Sequence, residues 1–323
     1  MNKILAVARM ELLDVRRSRL MTVVLGFFLL AAIISVIVAS IDFGVKADAY
    51  KAYTDALAAS GNKITAAAPQ LFPLQLMRAA IEYLEILGAL FAIILGYAAI
   101  AKEKQRGTLS LLFTRPIGSF TLGLGKLSAL ALVWLAFVTL VVFATMLTAI
   151  IAGHAQLTMD DLGRLLLTVL GAWVYLLVWT AVSIAIASMS RHLTTALIIS
   201  IVLWLLVVLV IPQIGDTMDP DNQVPGGLFK SLQIAKPDET AVLANFTGYN
   251  SARDALEISS VTKHFERYAF AFLGIKDQYN QQPIGTVWAA VFINTLALWL
   301  FAIGTIAISL LASKPKTLLR TSQ

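Results

Sequence analysis

Gly125-Lys126 is the point where this chain comes nearest to a phosphate-binding loop. That loop needs glycine where Phe120 stands and Ser or Thr where Leu127 stands. A long apolar run also follows, so the chain does not bind a nucleotide by this route. His154, His192 and His264 fall in three separate segments, with no pair at the spacing of a helical metal site. Each is expected to be a solvated loop residue. Cysteine is absent, which removes disulfides and thiolate ligands. No nucleophile motif is present. Asp160-Asp161 and Asp238-Glu239 read as helix-start and surface acids. Glu82 and Glu85 share one helix face at the end of an apolar run. Thr139, Thr180, Ser183 and Asn294 lie inside apolar runs and are expected to glue helices together. No chain of acids and bases runs deep through those segments, so an internal proton or ion relay is not expected. The chain is expected to be non-catalytic, with no catalytic, cofactor-binding or metal-binding residues of its own.

The elements that carry these residues are set by composition. Apolar residues make up 59% and charged residues 14%, with mean hydropathy +0.80. A soluble domain has about 45–50% and about 25%. Apolar runs predict six membrane spans: Leu20–Ile41, Tyr83–Ala101, Gly125–Ile151, Leu165–Ser188, Thr194–Ile211 and Val287–Leu311. In hydrocarbon each backbone group must be paired inside its own segment, so the spans are helices. The alternation of a membrane barrel is absent. The expected class is therefore an all-α integral membrane protein. The first run is longer than a signal-peptide core and follows a long basic segment, so it is expected to stay uncleaved despite "IVAS" at 37–40.

Charge sets the orientation. More than half of the 25 Lys and Arg residues lie on the side shared by the termini, against only Glu11, Asp14 and Glu103 there. That side is expected to be cytoplasmic, with both termini on it, in a multi-pass protein of the cytoplasmic membrane. The net charge of +6 is thus a topology signal, and nucleic acid is not an expected partner.

Residues 1–19 read as an amphipathic helix in the cytoplasmic interface of the lipid bilayer. Ile4, Leu5, Ala8, Leu12 and Val15 form one side, while Lys3, Arg9, Glu11, Asp14 and Arg17 fill the others. It is either an anchor or an elbow that also touches a cytosolic partner. Residues 20–212 hold five spans, with an outer helical loop at 42–82 that includes a helix at Val45–Ala59, and an inner loop at 102–125. Residues 213–286 form an extracytoplasmic helical segment between spans five and six, helical from Pro237 to Tyr279 with a break near Gly248. Its apolar Leu256, Val261, Phe265, Tyr268 and Phe272 must be covered. The segment is either a lid or a docking platform for an extracytoplasmic protein. Residues 287–323 are the sixth span and a basic tail.

The inner loop reads "KEKQRGTLSLLFTRPIGSFTLGLGK". Leu109, Leu112 and Phe113 give a short helix one apolar face. Arg115-Pro116 ends it, and Gly107 permits close backbone approach. Such a helix must dock on the membrane surface or on another protein. The loop resembles that of ABC type-2 permeases: an acid before Gly-Thr-Leu, then Pro-Ile, then a Gly-Lys opening the third span. "ARMELLDVRRSRL" is similar to the same family's interfacial N-terminal helix, with Glu11, Arg16 and Arg19 in it.

The resemblance implies the permease subunit of an ATP-binding-cassette exporter, which works with two copies of a separate ATPase subunit. A second permease is implied too, in a homodimer or related heterodimer. ATP and Mg would be bound by the ATPase. On this view Glu103, Arg106, Gly107, Thr108, Leu109, Leu112, Phe113, Arg115 and Pro116 form the coupling helix that docks on the ATPase, and Lys126 sits at the cytoplasmic headgroups. The long segment 213–286 is more similar to the gliding-motility and nitrous-oxide-reductase maturation permeases. That subgroup implies an alternative, a mechanotransmission permease that acts on an extracytoplasmic partner without moving a substrate.

Overall fold

The computed structural model describes residues 3–59, 73–107, 109, 118–153, 157–219, 228–234, 236–244, 247–280 and 282–321. Among them there are helices and turns and no strand. A short helix α1 (Lys3–Arg17) precedes α2 (Arg19–Ala59). Four more long helices follow: α3 (Pro73–Gln105), α4 (Thr121–Gly153), α5 (Met159–Met189) and α6 (Leu193–Thr217). Short helices α7 (Leu228–Ser231), α8 (Lys236–Leu243), α9 (Thr247–Ile258), α10 (Val261–Phe272) and α11 (Ile284–Ala290) come next. The chain closes with α12 (Phe292–Ala312) and α13 (Pro315–Thr321). Helices α2 to α6 and α12 are each long and apolar enough to cross a membrane, which gives the six expected spans.

A narrow stripe fastens α2. Val24, Phe28, Ala32 and Val36 are buried at every fourth position, and Phe28 meets Phe91 and Phe137 edge-on at 5.8 and 5.2 Å. Val23, Phe27, Leu30 and Ile34 on the opposite side are exposed, as a lipid-facing side requires. The helix expected at Val45–Ala59 is present as a continuation of α2, whose 41 residues span about 60 Å, twice the apolar thickness of a bilayer, about 30 Å. Asp42 ends the apolar run without breaking the helix, and it pairs with Lys46 one turn on at 2.6 Å, a contact that adds about 0.2–0.5 kcal/mol to the helix. Similarly, α3 begins at Pro73, well before the expected Tyr83. The sixth expected span is two pieces, α11 and α12, with a break at Val291.

Helix α5 is the centre of the bundle, packing along α3 and α12 and touching α4, α6 and α10. A capping box starts it: the Thr158 hydroxyl accepts from the Asp161 backbone N–H, and the Asp161 carboxylate accepts from that of Thr158 at 2.8 Å. Missing side-chain volume at Gly96 lets α3 close on α5, since a Cβ there would lie 2.6 Å from the Thr180 carbonyl. Ser183 donates to the Ile93 carbonyl at 2.7 Å and Trp134 to the Thr180 hydroxyl at 2.9 Å. These polar groups tie helices as expected. Thr139 does not, being exposed. Both termini lie at one end of the bundle, because the start of α4 meets α1 at Val7 and the end of α12 at Ser313. We call this the basic end.

At the far end, the segment between α6 and α12 departs from expectation. One helix ends at Leu243 and the next begins at Thr247, a boundary beside Gly248 as expected, and the stretch breaks again at Ser259-Ser260. The Ser260 side chain caps α10 and donates to the Val207 carbonyl of α6 at 3.0 Å. Phe265 stacks on Tyr175 at 4.5 Å, and the Tyr175 hydroxyl shares a hydrogen bond with Thr262 at 3.2 Å. Tyr175 is midway along α5, so α10 lies within the bundle rather than beyond it. Val261, Phe265, Tyr268 and Phe272 are all buried there. His264 is no solvated loop residue: it is 3% exposed, and its ring nitrogens face the Asn294 side-chain oxygen and the Ile258 carbonyl, each at 2.9 Å. His192 is exposed at the start of α6, and His154 lies outside the described residues. Arg164 of α5 donates to Asp160 and to the carbonyls of Phe272 and Gln282, pinning the chain that leaves α10. On α9, burial alone would push the Glu257 carboxyl up, but Arg267 and Arg253 hold it below its ordinary value.

Candidate functional site

Three consecutive residues end α3, and each is bound to a different helix. Lys102 points to α1, donating to Glu11 at 2.7 Å and to Asp14 at 2.9 Å. Glu103 points to α4 and pairs with Lys126 at 3.3 Å. Lys104 points to the end of α5, donating to the carbonyls of Ala187, Ser188 and Ser190 at 2.9, 3.1 and 2.8 Å. Those carbonyls belong to the last turn of a helix, where partners within the helix run out and a cation is favoured. Successive residues on a helix point about 100° apart, so one turn can hold three neighbours.

The charges form a chain: Asp14, Lys102, Glu11, Lys126, Glu103. Glu11 is its middle, accepting from Lys102 and from Lys126, both at 2.7 Å. Glu11, Glu103 and Lys126 are 2%, 5% and 1% exposed. Buried charges in a low-dielectric site demand complete pairing, because an unpaired one costs several kcal/mol. The outermost member, Asp14, is held below the usual carboxylate range chiefly by its hydrogen bond from Lys102. The Gly-Lys motif now has a physical meaning. A Cβ at Gly125 would lie 2.6 Å from the Val7 side chain, so glycine lets α1 lie directly on α4. Lys126, expected at the headgroups, is instead buried and reaches Glu11 and Glu103.

Glu11 corrects the reading of α1, which put it on the polar side. Ala8, Glu11 and Val15 are the buried residues, while Leu5 is 62% exposed. The signal was in the sequence: Ile4, Ala8, Glu11 and Val15 fall on one helical stripe, so the acid sits inside an apolar seam. Arg16 and Arg19 are exposed.

The expected docking residues divide. Arg106 and Gly107 are exposed, and Gly107 has a positive φ of 63°. Nothing lies within 4 Å of where its Cβ would be. Glycine is needed there for the left-handed turn that ends α3, and its open side leaves room for a close approach from outside the chain. Glu103 faces Lys126 as described, and Leu109 is 2% exposed in the main apolar core. Thr108, Leu112, Phe113, Arg115 and Pro116 lie outside the described residues. Among the described residues no group of three or more His, Cys, Asp or Glu fits a metal ion.

Six apolar spans, two of them joined to α1 by a buried charge hub at the basic end, make this a multi-pass membrane protein. A family profile described as "ABC-2 family transporter protein" matches residues 5–314. The chain belongs to that family, and it is therefore a permease component of an ABC transporter, whose partner is an ABC ATPase. A search of curated proteins finds no match.

Proposed function

We propose that the chain is the permease of an exporter that moves a substrate out of the cytoplasm, driven by ATP hydrolysis on the partner. The basic end is cytoplasmic, the permease works as a pair, and two ATPase subunits dock under it on the loop at 106–116. The observation that carries this reading is the last turn of α3, tied to α1, α4 and α5 by Lys102, Glu103 and Lys104. A displacement of the loop that leaves Gln105 would carry those helices with it, because separating them breaks buried pairs at a cost of about 3–5 kcal/mol. Packed elements of this kind switch between discrete arrangements rather than deforming. The alternative, force transmission to an extracytoplasmic partner, comes from the resemblance of the long segment 213–286 to the gliding-motility and nitrous-oxide-reductase maturation permeases, and such a partner would need apolar surface there to dock on. Helix α10 buries its Val261, Phe265, Tyr268 and Phe272 on α5 and α12, which leaves less of that surface for a partner and favours export.

Leu112→Asp tests the docking. A carboxylate placed in an apolar contact costs several kcal/mol, enough to dissociate an ordinary interface. The variant should insert in the membrane at normal levels and lose the ATPase on co-purification. Retention of a full complement of ATPase would show that the loop is not the docking element.

A further inference from the structure

We propose that the cavity enclosed by α3, α6 and α10 binds a small organic ammonium ion through the carboxylate of Glu85. Glu85 is 8% exposed and lines a cavity of about 290 Å³. The cavity's other charged residues are already committed. Arg78 donates to Glu82 at 2.8 Å, and Lys263 donates to Asp216 at 3.1 Å and to Glu266 at 2.9 Å. The Glu85 carboxylate has no hydrogen-bond or ion-pair partner among the described residues. Arg78, Glu82 and Asp216 are well exposed and form the rim, while Glu85 is the floor. Glu82 and Glu85, expected on one face, thus have different surroundings.

The backbone is built to hold Glu85 there. Two π turns, Leu84–Gly88 in α3 and Leu205–Val210 in α6, both line the cavity. Such turns are rare and concentrate at functional sites. Carbonyls at the first turn are not left bare: Tyr175 donates to that of Glu85 at 2.8 Å, and Trp204 to that of Ile86 at 3.1 Å. Three further helices therefore fix the floor, with α10 reached through the Tyr175–Phe265 stack.

A buried carboxyl without a donor takes up a proton when alone and is ionised only when something positive meets it, so a cation that enters the cavity gains a charged partner there. A divalent metal fits poorly, since no group of three or more ligating side chains exists among the described residues and two bases share the wall. The remaining wall is apolar, with Ile86, Val208 and Phe270. One acceptor, an apolar wall and a volume at the small end of ligand pockets, which run from about 300 Å³, match an ammonium group on a compact apolar body. Binding at this site is independent of the ATPase; that the ligand is exported cargo rests on the reading above.

The test uses the full-length chain alone in lipid nanodiscs, so a missing ATPase cannot affect it. Benzylammonium is titrated against benzyl alcohol, a neutral match in shape, with empty nanodiscs subtracting partition into lipid. The native chain and the surface variant Asp254→Asn should bind benzylammonium saturably, and the alcohol at least about tenfold more weakly, the value of a charge-assisted hydrogen bond. Glu85→Gln should lose that same factor for the cation and leave the alcohol unchanged. A second readout needs no variant: benzylammonium, but not the alcohol, should slow carbodiimide labelling of Glu85 in the native chain, read by mass spectrometry. Equal binding of cation and alcohol, or undiminished binding in Glu85→Gln, overturns the site. Should Glu85→Gln fail to fold, labelling unaffected by the cation overturns it.

Discussion

Lys126→Met should destabilise the chain by about 3–5 kcal/mol, the cost of leaving a buried ion pair half empty. The methionine fits the space, so packing is kept and only the charge is lost. Glu11 and Glu103 would then face each other's side of the hub with Lys126 gone, and Glu11 would keep Lys102 as its remaining cation. The triple variant Glu11→Gln, Glu103→Gln, Lys126→Met removes the buried charges together and should recover most of the loss, since apolar or neutral replacement of a whole buried network is often tolerated. Thermal unfolding of the purified chain in detergent measures both. A Lys126→Met protein within about 0.5 kcal/mol of the native one, the scale of a surface substitution, would mean that the hub does not hold α1, α3 and α4 together.

Gly171→Leu is expected to act at the opposite end and as strongly. A Cβ at this position would lie 2.2 Å from the Tyr268 ring, and that ring is fixed by its hydroxyl donating to the Leu167 carbonyl at 2.8 Å and by edge contact with Phe272 at 4.8 Å. Helix α10 cannot keep its seat on α5, and the burial of Phe265 and Phe272 is lost with it. Losing one such aromatic from a core costs about 3–5 kcal/mol. The residues of α9 and α10 should become sensitive to protease in the intact membrane protein. Pairing with the partner ATPase should persist, because the charge hub lies at the other end of α5. Shortening the ring with Tyr268→Leu in the Gly171→Ala background should restore part of the protection. Unchanged proteolysis of Gly171→Leu would contradict the packing of α10.

Particular residues show why some of this was legible in the sequence and some was not. The six spans follow from solvent alone, since apolar runs long enough to cross a bilayer have few other fates. The continuation of α2 past Asp42 was hidden because a charge ends an apolar run, not a helix. Helix α10 was hidden for a different reason: an amphipathic stretch carrying Phe265, Tyr268 and Phe272 has the same periodicity whether it lies on a surface or inside a bundle. Lys126 and Glu103 were visible only as sequence neighbours of a loop, and their pairing depends on how the chain returns after that loop. Glu11 was legible from its place in the apolar seam of α1. The burial of Glu85 was not, because it depends on two π turns meeting, and π turns have no strong sequence signature.

The absence of cysteine in the chain makes the central claim, that the loop after α3 meets the ATPase, directly measurable. Arg106→Cys places a single thiol on the exposed start of that loop, and Tyr249→Cys places one on exposed α9 at the far end. Each variant is expressed with the partner ATPase in intact membranes and treated with a short thiol-linked photocrosslinker. The account predicts an adduct with the ATPase from position 106 and none from position 249. An ATPase adduct from position 249, or its absence from position 106 in a complex that still hydrolyses ATP, would contradict it.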